Sequence, residues 1–234
     1  MNALFEEMNL GAYRLKNRIL MAPMTRGRAG ESGIPNKLMA EYYCQRASAG
    51  LIIAEATAIS KQGRGWVNSP GIYNDEQQQG WKLVADAVHQ QQGKIFVQLW
   101  HMGRVVLPDF IDGQQPLAPS AIAATGSIYS PTGISKELVE PRALTQQEIF
   151  ESVNDFRLAA RRSIDAGLDG VEIHAANGFL IDQFIRSSSN QRNDEYGGNY
   201  KKRARFCLEV TQAIVSEIGS NKVGIRISPT NNSW

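Results

Sequence analysis

The chain has 234 residues, of which 42% are hydrophobic and 21% charged, with a formal net charge of +2. That balance excludes a disordered chain and gives no reason to expect a nucleic acid or another strongly charged partner, while the length suits one large domain over 1–234. The longest apolar run, residues 51–59 (LIIAEATAI), is too short to cross a bilayer and contains Glu55, so no membrane partner is expected.

In chain order, the N-terminal stretch MNALFEEMNLGAYRLKN has no basic segment followed by an apolar one, and a cytoplasmic protein is expected. Residues 18–24 (RILMAPM) read as a first strand. Residues 35–50 (PNKLMAEYYCQRASAG) read as a helix with Pro35 near its first turn and Gly50 as its stop. The run 51–59 is the second strand. Asn74, Asp75 and Glu76 open a helix that runs to Gly93, and 94–101 (KIFVQLWH) is the third strand. Thr145 and Glu148 form a capping-box pattern at the start of a helix that Gly167 ends. In 170–184 (GVEIHAANGFLIDQF), Val171 and Ile173 alternate with Glu172 and His174, the period of a fourth strand. A helix over 200–219 precedes a fifth strand, 222–228 (KVGIRIS). Strands alternating with helices imply a parallel sheet or barrel of the α/β class.

One connection is too long for a simple loop. Residues 103–143 carry five prolines and several Gly and Ser, and an excursion of this length after a strand is expected to act as a lid over a ligand pocket. A closed (β/α)₈ barrel needs eight strands, whereas these residues supply about five βα units.

Candidate chemistry collects at strand ends. His174 closes one face of its strand and Asn177 follows just beyond, beside Gly178; two neutral donors there suit a carbonyl or nitro oxygen. Gln98 and Trp100 share a strand face, and Gln98 offers both a donor and an acceptor to a heterocycle. Arg226 lies between Ile225 and Ile227; if those pack against helices, Arg226 points inward, where its partner is either Glu172 or an anionic ligand. The basic run 201–205 (KKRAR) falls on a solvated helix face. Two cysteines, Cys44 and Cys207, and three histidines, His89, His101 and His174, show no metal-ligand spacing, so no metal is expected.

The segments APMTR, VQLWHMGR, PLAPSAI, GVEIHAANGFLIDQFI, DEYGG, RARF and GIRISP occur in that order, and together they resemble the Old Yellow Enzyme family of flavin-dependent ene reductases, the N-ethylmaleimide reductases in particular. The resemblance implies a TIM (β/α)₈ barrel, incomplete here, that binds FMN, takes reducing equivalents from NADPH or NADH, and passes them to small electron-poor alkenes, quinones or nitro compounds. By motif, Pro23, the backbone of Met24 and the hydroxyl of Thr25 would meet the flavin, with Ala58 at its edge. Gln98 would pair with its pyrimidine ring and Arg226 would stabilise its reduced, anionic form. His174, Asn177 and Trp100 would contact substrate. The family usually has a proton-donating tyrosine where this chain has Phe179, and the residues after Pro229 depart from its pattern. Two other readings stand beside this one: a non-catalytic remnant that cannot retain FMN, and a flavin-free TIM-barrel hydrolase using His174 with Glu172.

Overall fold

The computed structural model describes residues 3–230. A hairpin of β1 (Met8–Leu10) and β2 (Tyr13–Leu15) comes first, followed by β3 (Leu20–Met21), α1 (Lys37–Cys44), β4 (Leu51–Ala58), α2 (Asp75–Gln90) and β5 (Ile95–Trp100). The excursion holds β6 (Leu117–Ala118), β7 (Ser127–Tyr129), β8 (Ser135–Glu137) and β9 (Arg142–Ala143). Then come α3 (Gln146–Asp165), β10 (Gly170–Ala175), α4 (Leu180–Ile185), α5 (Tyr200–Ile218) and β11 (Val223–Ile227). The main sheet has five strands in the order β11-β10-β5-β4-β3, every pair parallel. It is the incomplete α/β barrel expected from the alternation of strands and helices.

Alternation decides which face meets the helices. Ile95, Val97 and Leu99 of β5 and Val171 and Ile173 of β10 are wholly buried, in one cluster with Trp81 and Val84 of α2, Phe156 of α3 and Phe206 and Val210 of α5. Each fully buried aliphatic side chain contributes roughly 1.5–3 kcal/mol. The helix starts follow the sequence signals. Asn74 caps α2 by accepting from Gln77 N at 2.9 Å, and Thr145 and Glu148 form the reciprocal capping box of α3.

Helix α1 stops at Cys44, six residues before Gly50, because 45–50 tighten into turns: Arg46 N donates to Tyr43 O and Ala47 N to Cys44 O. Gly50 serves instead as a close contact. A Cβ there would sit 2.2 Å from Asn17 O, and its N–H donates to Ile19 O.

The expected strand 18–24 shrinks to Leu20–Met21. Pro23 has no N–H for a ladder, and the N–H groups of Arg26 and Gly27 go to the side-chain carboxylate of Glu55, at 2.8 and 3.2 Å, rather than to the backbone of β4. At the opposite end of the strands, the unforeseen β1–β2 hairpin forms a plug, with Tyr13 edge-on to Phe96 and Leu15 packed beside Leu51. Asp169 ties that end together, accepting from Ile95 N and lying against His89 Nε2 and Lys94 Nζ.

The 103–143 excursion is folded rather than loose. β6 pairs with β9, and the β7–β8 hairpin contributes Ile128 to a cluster with Met102, Val106, Leu107 and Phe110 that includes Trp100.

The two flanks of the sheet are open among the described residues. The condition that Ile225 and Ile227 pack against helices is not met: they are 45% and 63% exposed, although their register partners Ile173 and Ala175 are covered. Strand β11 is the outermost strand, and nothing described stands beyond it. Exposed edges of apolar strands invite pairing with other chains. The 234-residue chain should therefore self-associate with rising concentration. Ile227→Lys should lower that association in sedimentation velocity while shifting stability by no more than about 0.5 kcal/mol, as for other surface substitutions. A wild-type chain that stays monomeric, or a variant that associates equally, would show that this edge is not used.

Candidate active site

The face of the sheet turned away from the helices carries polar residues in register. Gln98 on β5 is the partner of Glu172 on β10, and His174 is the partner of Arg226 on β11. Gln98 Nε2 donates to Glu172 Oε1 at 2.7 Å. Burial raises the Glu172 carboxyl above its ordinary range, against the opposing influence of the Gln98 hydrogen bond and the Arg226 charge. Arg226 forms no ion pair with Glu172 among the described residues, so of the two partners offered for it Glu172 is not a direct one, and their interaction is through space.

His174 is only 5% exposed, and burial, helped by the positive charge of Arg226, pushes its imidazole down to about 3. The ring is therefore neutral, and its Nδ1 is buried without a hydrogen-bond partner. Phe179 stands between His174 and Trp100, edge-on to both, with ring centroids 4.9 and 5.1 Å away. Trp100 Nε1 is likewise buried and unpartnered. Two orphaned polar atoms on one face are a costly arrangement that a ligand would relieve.

Asn177 lies in the turn after β10. Its φ of 58° is left-handed, a region that Asn tolerates better than most residues, and Gly178 follows at φ 78°. The turn is held from both sides: Asn177 N donates to Ser228 Oγ at 2.7 Å, and Gly178 N donates to Asp182 Oδ2 at 2.8 Å. Arg186 completes the clamp through Asp182 Oδ2 and Ser228 O, both at 2.8 Å. These bonds leave the Asn177 side chain free of protein partners among the described residues.

The structure brings Gln98, Trp100, His174, Asn177, Phe179 and Arg226 together over β5, β10 and β11. Ala58 joins them from β4 as the register partner of Trp100. Pro23, Met24 and Thr25 follow β3 on the other flank of the sheet, with Met24 51% exposed. Sequence reasoning missed Glu55, Asp182, Arg186 and Ser228, which hold the loops in place. Glu55 had a signal, as the single charge in an apolar run. Arg186 is four residues after Asp182, the spacing of a helical ion pair. Glu172 and His174, offered as the acid–base pair of a hydrolase, share no hydrogen bond; the Glu172 carboxylate is engaged by Gln98.

Residues 3–234 match the model of the NADH:flavin oxidoreductase / NADH oxidase family. The chain belongs to this family. It is 46% identical over 233 residues to a chanoclavine-I aldehyde reductase of Penicillium roqueforti, covering 98% of this chain and 61% of that one. It is also 46% identical to 12-oxophytodienoate reductase 7 of Oryza sativa, covering 97% and 58%. An Old Yellow Enzyme homologue of Zymomonas mobilis superposes with a TM-score of 0.94 at 50% identity, covering 97% of this chain and 63% of the other. Morphinone reductase in complex with tetrahydroNAD superposes with a TM-score of 0.95 at 46% identity, covering 100% and 66%. The chain thus spans about three fifths of the length of the curated relatives it matches. Old Yellow Enzyme membership, the barrel fold and the FMN and nicotinamide cofactors inferred from the motifs agree with these matches.

The buried neutral histidine has a measurable consequence. The folded value of His174 is about 3 and that of buried His101 about 4, both below the unfolded 6.5. The unfolded chain therefore takes up protons that the folded chain refuses. Stability is full above about pH 6.5 and falls as pH drops toward 4, by roughly 3 kcal/mol per histidine. The His174 Cε1–H resonance should keep its neutral shift at about pH 5, where a free imidazole is almost wholly protonated. A titration midpoint near 6 would contradict the described burial.

Proposed function

We propose that this chain carries the flavin-binding and substrate-binding face of an FMN-dependent NAD(P)H oxidoreductase of the ene reductase type. The observation that carries the reading is the neutral, nearly buried His174 with an unpartnered Nδ1, beside Asn177 and in register with Arg226. The residues present suit FMN: Gln98 keeps its carbonyl and a second amide N–H for a heterocycle, and Arg226 brings a positive charge that is held in no ion pair among the described residues. Pro23, Met24, Thr25 and Ala58 would complete the cradle along the other strands. Reduced FMN, when bound, supplies a hydride.

The remaining work falls to the chain. His174 and Asn177 donate to a substrate oxygen and draw electron density from a conjugated alkene or nitro group, with the strength that preorganised donors have in a site shielded from water. Trp100, with the folded 103–143 excursion behind it, walls that oxygen from solvent. Phe179 occupies the position from which the family usually donates a proton, and it has none to give.

The experiment is an FMN titration of the 234-residue chain by flavin fluorescence. In a (β/α)₈ barrel the phosphate is held by loops after later strands than the five described here. Charge-assisted hydrogen bonds contribute roughly 1.5–3 kcal/mol each, so losing two weakens binding on the order of 10²- to 10⁴-fold. Micromolar or weaker binding is expected, and weaker still by about tenfold or more in Arg226→Ala. Nanomolar binding refutes the weak-binding expectation; folded protein with no binding at all leaves the non-catalytic reading.

A second prediction concerns a barrel completed with the remaining strands of a relative. A positioned acid typically contributes 10²- to 10⁴-fold. Phe179→Tyr should raise flavin reoxidation by 2-cyclohexenone by at least about tenfold. Nitroaromatics take protons on oxygen or nitrogen from solvent, so their rate should stay within a few-fold. Equal effects on both substrates in stopped flow would show that this position does not seat the proton donor.

A further inference from the structure

Glu172 is a half-buried carboxylate on the face that the proposed function gives to the flavin, and that function assigns it no role. One hydrogen bond and one nearby charge define its surroundings. Its Oε1 accepts from Gln98 Nε2 at 2.7 Å, and it shares the inner face with Arg226, whose charge acts on it without forming an ion pair. An ionised carboxylate only accepts, so it fixes which end of the neighbouring amide points toward it. The nitrogen of Gln98 faces Glu172, and the carbonyl oxygen and second N–H are left for a ligand. The same carboxylate offsets part of the charge that Arg226 presents there.

Resting on the flavin reading, we propose that Glu172 is a positioning residue: it locks the Gln98 amide in the one orientation that offers an adjacent acceptor and donor to a heterocyclic N–H and carbonyl, and it sets how much positive charge Arg226 shows to an anionic ring. Such a neighbour decides both which ring edge is accepted and how strongly the reduced, negatively charged ring is favoured over the oxidised, neutral one. Glu172→Gln keeps the shape but removes the constraint, since a glutamine can donate as well as accept, and it leaves Arg226 uncompensated. Glu172→Asp keeps the charge and withdraws the acceptor by one methylene.

Two measurements test this. The first needs no ligand: the side-chain amide resonances of Gln98, assigned by their loss in Gln98→Leu, should shift in both Glu172 variants relative to the wild-type chain. Resonances unmoved by Glu172→Gln overturn the proposal. The second uses chain reconstituted with excess FMN. Glu172→Gln should tighten reduced relative to oxidised FMN by about tenfold, which raises the two-electron potential by about 30 mV. Glu172→Asp should leave the potential near the wild-type value while weakening oxidised FMN by about fivefold, roughly 1 kcal/mol. A merely structural role predicts weaker binding in both variants with no shift in potential, and that result overturns the charge-setting role. A wild-type chain that takes up no FMN overturns the flavin reading, and the amide resonances then still decide the orientation claim.

Discussion

Glu55 is wholly buried, and its carboxylate accepts the N–H groups of Arg26 and Gly27 and the hydroxyl of Tyr43. Water cannot reach it, so these donors are obligatory: leaving a buried charge with a partner removed costs several kcal/mol. The 22–28 segment is folded over β4 to supply them. Buried Asp182 and Asp169 and half-buried Glu172 likewise collect donors around the sheet. Asp182 gathers the Asn177–Gly178 turn and Arg186, Asp169 gathers the N-terminal ends of the strands, and Glu172 takes the amide of Gln98. Apolar burial builds the sheet and its helices, but it is non-directional and would leave the loops free. The carboxylates give the loops their positions.

This explains how much could be read from the sequence. Strands β5, β10 and β11 were legible because each is five or six residues long, β5 as an apolar run and β10 and β11 through alternation, and the two-residue period of a strand put Gln98, Trp100, Glu172, His174 and Arg226 on one face. Helix α3 was legible through Thr145 and Glu148. What escaped was short or long-range. The three-residue strands of the β1–β2 hairpin have no period to count, and the reading of 18–24 as a strand overran the two residues of β3. Helix α4 has six residues, fewer than two turns. The bonds of Glu55 to Arg26 and of Asn177 to Ser228 join positions 29 and 51 residues apart, which no local pattern encodes. Alternation alone left open whether Ile225 and Ile227 are covered, and the sheet order decides it, since nothing described stands beyond β11.

The open flanks and the site belong to one geometry. Arg226 sits on the outermost strand, so its guanidinium has strand neighbours on one side only, and it forms no hydrogen bond among the described residues. Its charge nevertheless reaches inward, helping to hold His174 neutral while restraining the upward shift of Glu172. One cation therefore biases both neighbours on β10 toward the forms a ligand would meet, a neutral imidazole and an acceptor carboxylate. Burial is the larger influence on each, so Arg226 tunes states that the fold has already chosen.

Under the flavin reading, those states divide the chemistry of the face. His174 and Asn177 can donate hydrogen bonds to a substrate oxygen, but an imidazole held neutral down to about 3 has no proton to transfer near neutral pH. Phe179, packed edge-on between His174 and Trp100, adds shape without acidity. The face can thus polarise an acceptor but cannot protonate it at carbon. On that reading, substrates whose new protons land on oxygen or nitrogen in contact with water would escape that deficit, whereas an alkene carbon would not. The hydroxyl missing at Phe179 would then, on the same reading, be the source of discrimination between the two classes.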